Sequence, residues 1–583
     1  MPQPHHNKRK PVGQFTFRTR FIAVGFSLLA IICLGRLYQL QILRADDYTA
    51  RADREFAAPT DTLFERGDIY FTTKDGVLVA AATTQKGTKL AIEPPKVTDP
   101  ARLYDAVNAL VPFDKDTFLG KITKPGIRYV DMADHLSTTT GAALQAIGAT
   151  QKLPGVSVLQ STWRYYPAQT LAAQTVGFIG YDGDQMNGRN GLERFYEKNL
   201  LRTDTSPYEN FFVQLFSGAE RIAAGENEGD IVTTIEPTVQ AELDRTLAEY
   251  DAQWHPKAVA GIIMDPNTGA IYAISQFPTF NLNDFSGEKD SGVFTNALAQ
   301  RSYEMGSIIK PLTMAAGIDT GVITATTTYN DKGCITVNTA HVCNFDHKAR
   351  GVIPMQVILS QSLNVGVSFI ADRLGQEKFR SYFLGRYHFG DKTGVDLPSE
   401  ASGQVASLQN PRQLYYDEAA FGQGIAMTPL QTIRGLAVLA SGGHLVTPHV
   451  ATAIRSTMGT MKPIDWKKGG QVLATSTVNT VDSMLIHVVD NDLMKGIYKN
   501  DHYTVGAKTG TAQIAAPEGG YLADTYLHSF FGFFPATPGN ARFIIFLYAL
   551  QPQGAEYASQ TWAAYFHNLT LFLINYYNVP PDR

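Results

Sequence analysis

Two pairs of apolar segments, far apart in the chain, constrain the fold more than any other feature. "AVAGIIMDPNTGAIYAISQF" (258–277) reads as two strands joined by the turn residues of "DPNTG". "LHSFFGFFPA" (527–536) and "ARFIIFLYAL" (541–550) read as adjacent strands around Pro538-Gly539. Between the two pairs lies a helix-rich stretch, about 300–440, and "YASQTWAAYFHNLTLFLINYY" (557–577) reads as a terminal helix. Strands at both ends of a helical middle predict an α+β domain whose sheet joins chain-distant strands. That unit starts near "DIVTTIEPTVQAELDRTLAEY" (230–250), where a strand leads into a helix opened at Glu236-Pro237.

Residues 44–229 alternate short apolar runs with Gly, Pro and Thr and hold no cluster that carries chemistry, as expected of a non-catalytic pedestal or docking domain. "RGDIYFTTKDGVLVAA" (66–81) reads as strand, turn at Asp75-Gly76, strand, and "RYYPAQTLAAQTVGFIGYDG" (164–183) as an arm, a short helix and a Gly-rich turn. Residues 1–20 form a basic tail with Lys8, Arg9, Lys10, Arg18 and Arg20. The uncharged run 21–35, continued past Arg36 to Leu43, approaches the span of about 20 residues that a membrane helix needs. It is read as a single transmembrane signal anchor (21–43) with its basic flank in the cytoplasm and the bulk of the chain outside. A cleaved signal peptide is the competing reading, but no small-x-small cleavage site follows the run. The apolar "LTLFLINYY" (569–577) is too short to span and is assigned to a packed helix.

Of 583 residues, 44% are hydrophobic and 18% charged, with a net charge of −4, so no basic field argues for nucleic acid. The 13 histidines form no His-Glu-x-x-His or Cys/His spacing, and no metal or cofactor is expected. Three cysteines occur. Cys33 falls in the membrane run. Cys334 and Cys343 flank "ITVNTAHV", which as a hairpin turning at Asn338-Thr339 sets the two directly opposite, close enough for a bridge. An oxidising compartment permits that disulfide; two free thiols in a loop is the alternative.

The chemistry-bearing stretch opens at "YEMGSIIKPLTMAAGI" (303–318). Ser307 and Lys310, three apart, share a helix face. A serine hydroxyl needs a base, and a lysine serves if desolvation and cationic neighbours lower its pKa. At a helix start, free N–H groups favour developing negative charge. Ser362-Leu363-Asn364 then puts a hydroxyl and an amide two residues apart, at the end of one helix or the start of the next. Lys508-Thr509-Gly510-Thr511 follows in extended chain, its glycine leaving room for backbone to approach a ligand. Each motif alone has a bland reading: a solvated helix face, a pair of caps, a chance triplet. Lys-Thr-Gly also occurs at 392–394, in "GDKTGVDLP", where a proline follows closely and no strand leads in. Order and flanks select the copy at 508–510.

Ser-x-x-Lys, Ser-x-Asn and Lys-Thr-Gly in that order resemble the penicillin-recognising serine acyltransferases, and in particular the class B, monofunctional penicillin-binding proteins of the septal type. The likeness extends through "RLYQLQI", "RGDIY", "NGLERFYEKNL" (190–200), "TTIEPTVQ", "MDPNTGAIYAI", "FGQGIAMTPLQTIRGLAVLASGG" (421–443) and "HSFFGFFPA". Met305, where the family usually has proline, and Leu363 depart from the pattern without removing a functional group. The resemblance implies a transpeptidase domain at 230–583, an antiparallel sheet flanked by helices with a helical subdomain. It implies a peptidoglycan D,D-transpeptidase in which Ser307 attacks the penultimate D-alanine carbonyl of a stem peptide and Lys310 is the base. Ser362 relays protons, Asn364 holds the substrate amide and orients Lys310, and Lys508 with Thr509 and Thr511 binds the carboxylate. The N–H groups of Ser307 and Thr511 form the oxyanion hole. It further implies acylation by β-lactams, a membrane setting, and as partners a SEDS-family glycosyltransferase and other division proteins.

The rival readings share the motifs. A class A β-lactamase has an extra glutamate for deacylation, and "NVGVSFIADRLGQEKF" offers no Glu-x-x-Leu-Asn. An elongation-type relative, a carboxypeptidase, a β-lactam sensor and a non-catalytic scaffold stay open as alternatives. His528, on a strand after the third motif, is expected to be structural, and "PEGGYLADTY" (517–526) to be a loop at the cleft mouth.

Overall fold

The computed structural model describes residues 66–182, 185–202, 228–456, 458–467, 469–516, 518–537 and 541–583. The expected membrane span, Cys33 and the turn at Pro538-Gly539 lie outside them. Among the described residues no helix is long and apolar enough to cross a membrane.

Packing separates two compact units: Lys86–Trp163, and Glu65–Gln85 together with Arg164–Arg583. The smaller unit packs helices Pro100–Asn108, Lys115–Ile122 and Thr138–Thr150 on strand residues 86–92. Each helix begins on a side-chain cap: Asp99, Asp114 and Ser137 accept from the N–H groups of Arg102, Thr117 and Thr140. Leu103, Val107, Phe118 and Leu144 close over Leu90 and Ile92.

The larger unit also takes in segments from before residue 230. Strand Ile69–Thr72 lies parallel to Gly229–Thr233, with Ile69 opposite Ile231, and Ala451–Ser456 pairs with the latter's other edge. The early segments are also tied in by buried charge. Arg66 Nε donates to Glu193 Oε2 at 2.6 Å and Arg164 Nε to Glu193 Oε1 at 2.7 Å, all three side chains out of solvent.

The centre of this unit is the sheet that the apolar runs anticipate. Its strands are β1 (Ala258–Met264), β2 (Ile271–Phe277), β3 (Gly506–Ala515), β4 (Tyr521–Phe534) and β5 (Phe543–Leu550). They pair antiparallel in the order β3-β4-β5-β1-β2, so Phe546 faces both Phe531 and Ile262. Side chains alternate across a strand. Phe543, Ile545 and Leu547 therefore pack on one face against α1 (Pro237–Trp254) and the terminal helix Ala558–Tyr577. Ile544, Phe546 and Tyr548 enter the larger core on the other face. Both faces are covered, which is why "FIIFLYAL" is apolar without interruption. Helix α1 starts as its sequence predicts: Glu236 accepts from Val239 N–H at 2.7 Å, with Pro237 in the first turn.

In the larger core lies α2 (Lys310–Asp319), buried from Lys310 through Gly317. Helices α3 (Met355–Ser360), α4 (Asn364–Arg380), α5 (Pro429–Ala440) and α6 (Thr475–His487) belong to the helical subdomain, and α4, α5 and α6 pack on α2. The terminal helix is α7 (Ala558–Tyr577). "PEGGYLADTY" is a loop only through Gly520; Tyr521 to Tyr526 continue β4, paired with β3 as Tyr521 with Ala515 and Tyr526 with Gln513.

Candidate active site

The cleft lies between the outer edge strand β3 and the starts of α2 and α4, and its volume is about 860 Å³. Gly306–Ile309 forms one 3₁₀ turn that runs into α2. Gly306 has φ +66°, open to glycine at little cost, and a Cβ there would sit 2.9 Å from Ala512 Cβ. Its N–H donates to Gly422 O at 3.0 Å. Ile308 and Ile309 are buried, so the turn is anchored while half-buried Ser307 lines the cleft. Gly510 closes the contact from the strand side: a Cβ on it would meet Ser529 Oγ at 2.4 Å and Met305 O at 2.9 Å. Ser529 Oγ itself donates to Met305 O at 2.8 Å, pinning the turn to the sheet.

Lys310, at the first position of α2, has no solvent exposure. Its Nζ donates to the Ser362 carbonyl and, at 3.2 Å, to Ser362 Oγ. Ser362 sits between α3 and α4 in the left-handed region, φ +56°, which costs an ordinary residue about 1–2 kcal/mol. The conformation turns its carbonyl and hydroxyl to the same lysine. From the opposite side Lys508 Nζ donates to Ser362 Oγ at 3.0 Å and to Thr509 O at 2.9 Å. A hydroxyl has two lone pairs and one proton. With both lone pairs taken by N–H groups of the two lysines, the Ser362 proton is the part left for the cleft.

Burial, and then the charge of Lys508, push Lys310 well below the usual lysine range. Burial also lowers Lys508, to about 7. Both lysines are thus poised to give up protons under conditions where a surface lysine does not.

Asn364 is the first residue of α4, and its Nδ2 donates to Cys343 O at 2.9 Å. Thr509 and Thr511 line the cleft along β3. Thr511 Oγ1 accepts from Ala558 N–H, the first residue of α7, at 3.1 Å, which leaves its own proton to donate. Seven of the eight residues selected from sequence, Ser307, Lys310, Ser362, Asn364, Lys508, Thr509 and Thr511, come together by these contacts or on the cleft wall; Gly510 makes the close approach behind it.

The second Lys-Thr-Gly lies elsewhere. Thr393 N–H and Oγ1 donate to Glu400 Oε1 at 2.6 and 2.5 Å, and Gly394 N–H donates to Oε2 at 3.0 Å. The triplet wraps a carboxylate in a closed loop, with Lys392 exposed. His528 is buried between Thr561 Oγ1 (3.0 Å) and Glu556 O (3.1 Å), and burial lowers it to about 4. The hairpin turning at Asn338-Thr339 pairs Cys334 with Cys343, and their sulfurs are bonded. His347 Nδ1 lies 3.4 Å from Cys334 Sγ; with the sulfurs spent on each other, this group offers a metal no thiolate.

Tyr521 and Tyr526, in the segment 517–526 expected at the cleft mouth, do line the cleft, and Tyr521 OH donates to Glu304 Oε2 at 3.0 Å across 217 positions. Tyr557 and Glu418 line it too and were not found from sequence. Asn344 and Asp331 stand behind Asn364. No local pattern marks Tyr557, Glu418, Asn344 or Asp331.

The chain is similar to known proteins. A model of the penicillin binding protein transpeptidase domain matches residues 259–570, and one of the penicillin-binding protein dimerisation domain matches 62–205. Stage V sporulation protein D of Bacillus subtilis is 26% identical over 95% of this chain and 85% of its own length. Peptidoglycan D,D-transpeptidase FtsI of Escherichia coli K12 is 24% identical over 96% and 92%. The crystal structure of penicillin binding protein 3 from Mycobacterium tuberculosis, complexed with ampicillin, is similar with a TM-score of 0.63 and 25% identity, over 73% of this chain and 91% of that one.

Proposed function

This chain belongs to the penicillin-binding protein transpeptidase family, and on that premise we propose that Ser307 is the nucleophile of a peptidoglycan D,D-transpeptidase that acts in septal wall synthesis and is acylated by β-lactams. The observation that carries the reading is the Lys310–Ser362–Lys508 chain at the foot of the Ser307 turn, both lysines buried and Ser362 half-buried at the cleft. Lys310, neutral through burial, takes the Ser307 proton as Oγ attacks the carbonyl of the penultimate D-alanine. The negative charge on the carbonyl oxygen meets the N–H groups of Ser307 and Thr511. Collapse breaks the peptide bond. The leaving amine of the terminal D-alanine gains a proton through Ser362, whose hydroxyl both lysines orient. Charged Lys508 and the hydroxyls of Thr509 and Thr511 hold the terminal carboxylate. An amine of a second stem peptide then attacks the serine ester, gives up its proton along the same route, and frees Ser307 with the cross-link made. A β-lactam enters the first half of this sequence, its ring amide opening on Ser307.

The membrane anchor at 21–43, the outward orientation, the pedestal role of the region before 230, and a SEDS-family glycosyltransferase with other division proteins as partners belong to the same proposal. They rest on the basic-then-apolar N-terminus and the family likeness. The septal assignment rests on the short non-catalytic region and is tested by where a fluorescent fusion localises, at septum or lateral wall. The enzymatic core is tested by labelling with a fluorescent penicillin. The wild-type chain takes the label covalently and Ser307→Ala does not. A wild type that stays unlabelled, or Ser307→Ala that keeps the label, overturns the reading.

A further inference from the structure

Helix α4 carries Asn364 at its first position but has no cap of its own. The cap position is Leu363, extended and fully buried, with no side-chain acceptor for the free N–H groups of the first turn. The missing acceptor arrives from another part of the chain. Val365 N–H, the second of the helix, donates to Asn344 Oδ1 at 3.1 Å, across 21 positions. Asn344 is 1% exposed, and its amide cannot be turned over, because Nδ2 donates to both oxygens of Asp331 at 2.9 and 3.1 Å. Asp331 is equally buried and accepts from Gly333 N–H at 3.3 Å. Asn344 N–H donates to Gly333 O at 2.8 Å. The carbonyl just before Asn344, that of Cys343, receives Asn364 Nδ2 at 2.9 Å. Two adjacent residues of one hairpin end thus hold the start of α4 twice, once by its backbone and once by the amide of Asn364. Arg350 ties the same hairpin region to the second motif. Its Nη1 lies 3.7 Å from Asp331 Oδ2, and its Nε donates to Gln361, the residue before Ser362, at 2.5 Å.

We propose that Asn344, held in one orientation by Asp331, is a positioning residue of the acyl transfer: it supplies from a distance the cap that α4 lacks and so fixes the amide of Asn364 in the cleft. The proposal rests on the reading that Asn364 serves the Ser307 reaction. Asp331 presents only acceptors, so position 344 must offer a donor on one side and an acceptor on the other. Asparagine meets that demand. Aspartate does not, since its carboxylate would face a second carboxylate inside the protein.

The test exchanges the two side chains in the full-length protein. Asn344→Asp alone sets carboxylate against carboxylate. Asn344→Asp combined with Asp331→Asn restores one donor, one acceptor and the original charge. Acylation by a fluorescent penicillin is followed at rising concentration, separating prior binding from the first-order acylation step, with the rate expressed per folded molecule. A displaced catalytic amide costs the chemical step about 10- to 100-fold. The expected result for Asn344→Asp is that loss in the first-order constant, prior binding changed by less than about threefold, and recovery to within about threefold of wild type in the exchange variant. The proposal fails if Asn344→Asp acylates as wild type does. It fails if its loss is entirely a loss of folded molecules, or if the exchange variant is as slow as the single one. A wild-type chain that takes no label faults the acyl-transfer reading instead, which separates the two failures.

Discussion

Replacing Lys508 with arginine is expected to change the shape of the acylation pH profile. The two lysines share one acceptor: Lys310 Nζ lies 3.2 Å and Lys508 Nζ 3.0 Å from Ser362 Oγ. The nitrogens are therefore no more than about 6 Å apart, and at an effective dielectric of about 20 two full charges at that distance repel by about 3 kcal/mol. Adding a second proton to the pair is disfavoured about a hundredfold by this repulsion alone. The active form carries one proton, on Lys508, with Lys310 free to act as base. Falling pH adds the second proton and removes the base. Rising pH through about 7 removes the charge of Lys508 and with it the hold on the substrate carboxylate. The second-order rate constant for acylation by penicillin, which reports the free enzyme, should be bell-shaped, falling about tenfold per pH unit on the alkaline side of 7. A guanidinium keeps its charge throughout this range. Lys508→Arg should lose the alkaline limb up to about pH 9, even if its different shape lowers the maximum about 10- to 100-fold. The measurement is stopped-flow or gel-based acylation from pH 5 to 10 in constant ionic strength. An alkaline limb that persists near 7 in Lys508→Arg would show that another group titrates there, and the assignment of the cation to Lys508 would be wrong.

The duplicated triplet gives a direct contrast: Lys508→Ala should abolish penicillin labelling, while Lys392→Ala, whose side chain is exposed and whose loop is held by Thr393, Gly394 and Glu400, should largely spare it. Glu193→Gln should leave the buried guanidinium of Arg164 without an anion, since among the described residues its Nη1 and Nη2 have no partner and only Nε is bonded. That loss is expected to cost about 3–5 kcal/mol in urea unfolding while acylation per folded molecule stays within about twofold.

What could be read from the sequence is what local chain chemistry decides. The uninterrupted apolar run at 543–550 marks a strand covered on both faces, and Glu236-Pro237 marks a helix start, because burial and capping leave their signature within a few residues. The three motifs are legible for the same reason, each being a spacing within at most four successive residues. The contacts that assemble them are not local. "RGDIY" and "NGLERFYEKNL" each stand out in the sequence, but nothing in either says that Arg66 and Glu193 pair across 127 positions. The cap of α4 is invisible because it sits on the hairpin before the helix, while the residue in the cap position is a leucine. The segment 521–526 reads as loop because it follows Gly519-Gly520 in a Gly-rich stretch. It is strand because β3 supplies the backbone partners, and exposed strand ends tolerate polar side chains.

The geometry also explains why so large a fold surrounds so small a group of reacting atoms. A lysine on a helix surface keeps its proton near neutral pH and cannot deprotonate a serine. To lower its pKa it must lose water, so the helix bearing it must be enclosed, as α2 is by α4, α5 and α6 with the sheet on the remaining side. The proposed nucleophile three residues earlier, Ser307, must still reach substrate. Burial from Ile308 onward and half-burial at Ser307 meet both demands within a single turn. The second lysine has the same need from the other side, and β3 meets it by placing Lys508 on an edge strand whose outer side faces the cleft. Two buried lysines and a left-handed serine are each unfavourable for folding, and they persist because the surrounding core over-determines their positions. The residues that do so, Ser529 behind the turn and Asn344 behind α4 among them, are as much a part of the catalytic design as the motifs they hold.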